Sequence, residues 1–131
     1  MPREINWNTL ATIVFVDNPL NTGWSYSNYP NLNVSSTVQA GEFILDFFRE
    51  FYEIFPNMTQ SPTYIFGESF GGHWVPYYSQ TFIDNFPSVN YQGMGIGDGW
   101  IDPMVQIQTY NQQMFMVGII GGAEFNQINQ Q

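Results

Sequence analysis

Apolar residues fall along the chain in blocks whose period changes, and the changes mark out the elements. From Ala11 to Val16 the sequence ATIVFV is apolar and β-branched without alternation, the pattern of a strand buried on both faces, and it closes on the turn signal Asp17-Asn18-Pro19. After a polar Asn/Ser/Tyr loop, Ser36-Thr37-Val38-Gln39 has the spacing of a capping box. Ile44, Phe47, Phe48, Phe51, Ile54 and Phe55 then recur at helical intervals until Pro56 stops the helix. A second short apolar run, Thr63 to Phe66, meets Gly67, and a third, Tyr91 to Ile96, is interrupted by glycines. Strand, helix, strand, helix, strand predicts an α/β fold, a parallel-sheet βαβαβ segment. Three strands leave an open sheet with two edges, which parallel sheets normally cover or extend, so residues 1–131 read as one partial domain of a larger fold.

Beyond Ile101 the pattern decays into QIQTYNQQ and a closing FNQINQQ, amide-rich stretches that suit a helix or a frayed tail equally, with fraying expected over 124–131. No internal repeat and no linker divides the chain. The apolar stretch from Met114 to Ile120 is too short to span a bilayer, so no membrane role is expected. The opening MPREINWNTL lacks the basic and apolar regions of a secretory signal.

Composition narrows the function. The chain is 44% hydrophobic and 18% aromatic, which is enough to build a core and excludes global disorder. Lys+Arg is 2 against Asp+Glu 11, a formal charge of -9, so there is no basic stripe to neutralise phosphates and no nucleic-acid partner is expected. Zero cysteines and one histidine exclude disulfides, thiol nucleophiles and zinc sites of the usual kind, leaving carboxylates alone for any metal. Asp17, Asp98 and Asp102 are the candidates for a hard cation, but turn aspartates usually cap loop ends, and no metal or other cofactor is expected. Gly93, Gly95, Gly97 and Gly99 suggest a dinucleotide loop, yet Asp98, Trp100 and Asp102 occupy the third glycine position in every frame.

The chemistry is concentrated in Gly67-Glu68-Ser69-Phe70-Gly71, a G-x-S-x-G pattern lying directly after a predicted buried strand. At a sharp strand-to-helix turn the serine takes a constrained backbone conformation, and the residues two places away must be small because their side chains would collide across the bend. Glycine at 67 and 71 meets that requirement. The hydroxyl is then lifted above the end of the sheet, and the amide of Phe70 points to where an oxyanion would form.

The segment Ile65-Phe66-Gly67-Glu68-Ser69-Phe70-Gly71-Gly72-His73-Trp74-Val75-Pro76 resembles the nucleophile segment of the serine carboxypeptidase family of α/β-hydrolases. Ile13 to Pro19 with Gly23-Trp24-Ser25-Tyr26-Ser27, and Gly95-Ile96-Gly97-Asp98-Gly99 with Asp102-Pro103, are similar to two further family blocks in the same order. Phe70 stands where the family usually has tyrosine, which leaves the backbone donor intact, and Asp98 where it usually has asparagine, which adds a carboxylate at a strand end. The resemblance implies that Ser69 is the acyl-forming nucleophile, that the Phe70 amide is one of two oxyanion donors and that Glu68 helps bind the C-terminal carboxylate of a peptide substrate. Two carboxyl groups hydrogen-bond closely only by sharing a proton, so such an exopeptidase is expected to work in acid, in a vacuole, lysosome or secretory setting.

A serine nucleophile in this fold takes its carboxylate and its histidine from later in the chain. After Ser69 the only histidine is His73, four residues on in the predicted helix, where a packing role is expected rather than general base. The resemblance places the second oxyanion loop and the carboxylate that partners Glu68 upstream of residue 1. The expectation is therefore an internal segment that carries the nucleophile without its base and is inactive when isolated. The alternatives are a catalytically inactive hydrolase-like fragment or interaction module, and an acyltransferase using the same acyl-enzyme. Asn33-Val34-Ser35 and Asn57-Met58-Thr59 are glycosylation sequons of a kind this composition yields by chance, and oligomeric state has no signature in the sequence.

Overall fold

A computed structural model of the chain describes residues 3–29 and 32–130. They fall into two compact units, one running to Met58 and the other starting at Thr59, although no linker composition marks the boundary.

The first unit is organised around α1, Thr37–Ile54. Ser36 is its N-cap and accepts from the Gln39 amide at 3.2 Å, while the Gln39 side chain accepts from the Ser35 amide at 2.9 Å, one residue earlier than a capping box requires. Ala40, Gly41, Ile44 and Leu45 are buried, and the run ends at Pro56 as the pattern predicts. Phe43 and Phe47 line a shallow apolar recess together with Val16, Leu20 and Ser25 of the preceding loop. The expected strand from Ala11 to Val16 is not formed: the segment joins no ladder, and Phe15 is 87% exposed. Apolar runs make strands only where a neighbour completes the backbone hydrogen bonds, and none does so here among the described residues.

The second unit holds the sheet. β1, Thr63–Glu68, and β2, Tyr91–Gly97, pair in parallel with Phe66 opposite Gly95 and Glu68 opposite Gly97. α2, Gly71–Asn85, connects them. The described residues thus contain one βαβ unit with a two-stranded sheet where three strands were expected, which keeps the α/β class and corrects its extent. Burial in β1 alternates. Tyr64 and Phe66 project from the exposed face, while the other face receives Val75, Tyr78 and Phe82 of α2. Phe82 is completely buried, with ring centroids 5.0 Å from Phe86 and 5.5 Å from Tyr91.

Past the sheet come three short helices, α3 at Pro103–Gln106, α4 at Tyr110–Met116 and α5 at Gly122–Ile128. Of the two readings of the amide-rich end, helix is the one adopted as far as Ile128, because Phe125 stacks on Phe115 at 4.9 Å and gives the last turns something to pack on. Among the described residues, no helix is long and apolar enough to cross a membrane.

Candidate active site

Ser69 occupies the bend between β1 and α2 with φ +56, in the left-handed region that a non-glycine residue adopts rarely. Such a conformation persists only where the surroundings enforce it, and here they do so from both sides. The Ser69 amide donates to the Gly97 carbonyl at the end of β2, 2.9 Å away, and the Ser69 carbonyl accepts from the Trp100 amide at 2.8 Å. A third bond, from the Gly72 amide to the same carbonyl at 3.0 Å, closes the turn into α2. Ser69 is nevertheless exposed.

Contact explains Gly67 and Gly72, whereas a Cβ at Gly71 would meet only Val75 Cγ2 at an ordinary 3.8 Å, so the expected collision does not extend to that glycine. A side chain at Gly67 would begin 2.6 Å from Val75 Cγ2 and 3.3 Å from Gly71 Cα, the collision across the bend anticipated from the motif. Gly72, which pattern reasoning passed over, is tighter still: a Cβ there would lie 2.6 Å from the Trp100 carbonyl oxygen and 2.7 Å from its nitrogen. Backbone cannot yield as a flexible side-chain tip does, so Gly72→Ala is expected to cost about 1–3 kcal/mol, read as a lower denaturation midpoint.

Phe70 is the N-cap of α2 in helical conformation, and no side chain caps the helix. Its amide enters no hydrogen bond to backbone among the described residues, so it stands with the open first-turn donors at the positive end of a 15-residue helix. The Phe70 ring, half exposed, lies 4.8 Å from the His73 ring and 5.0 Å from the Trp74 ring. Glu68 ends β1 and is exposed beside Ser69. His73 sits in the first turn of α2, partly buried against Phe70, and makes no hydrogen bond to the Ser69 hydroxyl among the described residues. Asp98 follows β2 with φ +45, a conformation aspartate tolerates, and is exposed, so its carboxylate remains solvated.

The other two aspartates considered for a cation serve turns. Asp17 accepts from the Trp24 amide at 2.7 Å within the first unit, and Asp102 caps α3 by accepting from Val105 at 3.2 Å. Gly95 lies beneath the Phe66 ring, so at this position the glycine-rich strand is shaped by side-chain packing.

The family model described as serine carboxypeptidase matches residues 1–131. The chain belongs to the serine carboxypeptidase family. It is 33% identical over 120 residues to a vitellogenic carboxypeptidase of Aedes aegypti, covering 90% of this chain and 25% of that protein. It is 38% identical over 115 residues to a pheromone-processing carboxypeptidase of Puccinia graminis f. sp. tritici, covering 87% of this chain and 17% of that one. A probable serine carboxypeptidase of Dictyostelium discoideum is 31% identical over 122 residues, 89% of this chain and 24% of the relative. The chain therefore spans about a quarter or less of the length of these serine carboxypeptidases. Its family is one of hydrolases that act on peptides, and the α/β elements seen here suit an α/β-hydrolase.

Proposed function

We propose that these residues carry the nucleophile turn of a serine-type carboxypeptidase that releases C-terminal residues from peptides through an acyl-enzyme. The observation that carries the reading is Ser69 at φ +56 between β1 and α2, followed at once by the Phe70 amide, which has no backbone acceptor among the described residues. Ser69 Oγ attacks the carbonyl carbon of the last peptide bond and its proton passes to a general base supplied from outside residues 1–131. The Phe70 N–H meets the charge that develops on the carbonyl oxygen. Collapse of the tetrahedral adduct breaks the C–N bond and expels the terminal residue, whose nitrogen takes the proton. Water then adds to the acyl-serine and releases the shortened peptide.

Glu68 gives the reaction its exopeptidase character. Its carboxyl lies where it can meet the free carboxylate of the substrate, and two carboxyl groups hydrogen-bond closely only by sharing a proton, which acid supplies. Activity is accordingly greatest in acid, and the working compartment is a vacuole, lysosome or secretory vesicle. The test compares a blocked dipeptide bearing a free C-terminal carboxylate with its C-terminal amide, using the longest natural form of the protein. The free acid is expected to be cleaved faster at pH about 5 than at pH about 8, with the amide much less pH-sensitive. Glu68→Gln, which donates at any pH, is expected to flatten the profile of the free acid. Equal rates for acid and amide at both pH values would remove Glu68 from substrate binding. Residues 1–131 alone are expected to show no turnover, and turnover by that segment that disappears in Ser69→Ala would refute an external base.

A further inference from the structure

The backbone that grips Ser69 is itself held by one side chain. Between the end of β2 and the start of α3, residues 98–102 belong to no regular element, and the first of them is in a left-handed conformation. Gln106, partly buried on the last position of α3, folds its carboxamide back over this loop. Its Oε1 accepts from the Ile101 amide at 2.9 Å and from the Asp102 amide at 3.0 Å, and its Nε2 donates to the Gly99 carbonyl at 2.9 Å. Three backbone groups are thus satisfied by one side chain, and they flank Trp100 on both sides. Trp100 in turn supplies the amide that holds the Ser69 carbonyl at 2.8 Å, and its backbone presses on Gly72.

We propose that Gln106 is a positioning residue for the nucleophile, fixing the Ser69 turn through the Trp100 backbone. The inference rests on the nucleophile reading of Ser69 for its effect on rate, and on geometry alone for its effect on the loop. Asp102 prepares the arrangement by capping α3, which brings Gln106 over the loop one turn later. Without the carboxamide, the partly buried Gly99 carbonyl and two amides lose their partners, the loop relaxes toward water, and the Trp100 clamp loosens. Displacement of a nucleophile by as little as an ångström can cost on the order of 100-fold in rate.

The test uses Gln106→Met, which keeps length and loses all three hydrogen bonds, in the longest natural form of the protein. Covalent labelling of Ser69 by a fluorophosphonate is expected to slow by about 10- to 100-fold, and for peptides kcat falls while KM holds. Amide exchange at Trp100 quickens while that within β1 and β2 does not. Val89→Ala, a buried truncation in the same unit, is the control for general loss of stability and is expected to label at nearly the normal rate. If Gln106→Met does not accumulate as folded protein, Gln106→Glu, which keeps two acceptor bonds and loses the donor to Gly99, takes its place with the same readouts. Normal labelling, unchanged Trp100 exchange, or equal slowing in Val89→Ala each overturns the positioning role. Failure of the nucleophile reading looks different, because labelling would then persist in Ser69→Ala while Trp100 exchange still responded to Gln106.

Discussion

Ser69→Ala, made in the longest natural form of the protein, is expected to abolish fluorophosphonate labelling and to lower kcat for peptides by at least about 10⁴-fold. The residual rate measures what backbone donors and substrate binding achieve without a covalent intermediate. Folding is a separate matter, and a second substitution separates it. Ser69→Gly removes the same hydroxyl but also the Cβ that makes φ +56 costly, so it is expected to be equally inactive yet more stable than Ser69→Ala by up to about 1 kcal/mol. Denaturant midpoints of the two variants check this. Equal stability would mean that the turn is relaxed without help, and retained labelling in either variant would move the nucleophile elsewhere.

Local chemistry was legible in the sequence wherever it is decided by neighbours along the chain. The stop at Pro56, the Ser36 cap, the runs that became β1 and β2, and the small residue at 67 all follow from dihedral and steric rules acting within a few residues. Pairing was not legible, because a ladder depends on a remote partner. Ala11 to Val16 has the composition of a buried strand and joins no ladder among the described residues. The same limit hid the clamp on the serine. Gly72 stands next to the motif, but its need to be glycine comes from the Trp100 backbone, 28 positions away, and Gln106 reads as one more polar residue until its carboxamide is seen over the loop. What the motif specifies is the bend, and what keeps the bend in place arrives from β2.

Phe82→Ala is expected to have the largest effect on stability, a loss of about 3–5 kcal/mol out of a typical domain total of about 5–15 kcal/mol. Phe82 is the one large side chain among the described residues that is wholly removed from solvent, and its ring lies between those of Phe86 at the end of α2 and Tyr91 at the start of β2. Truncation leaves a cavity at the far end of α2 from Ser69, where the helix is fastened to the sheet. Because the seven-residue β2 carries the Gly97 carbonyl that holds the Ser69 amide, loosening that contact frees both sides of the turn. Phe82→Leu, which refills most of the space, should recover the larger part of the loss. Urea denaturation of the two variants, read together with the fluorophosphonate labelling rate below the transition, distinguishes the outcomes. A lower midpoint with normal labelling of the folded fraction means that the helix and sheet remain docked near Ser69 without this ring, whereas slowed labelling of folded protein means that the core contact, 13 residues from the serine, is part of what aims it.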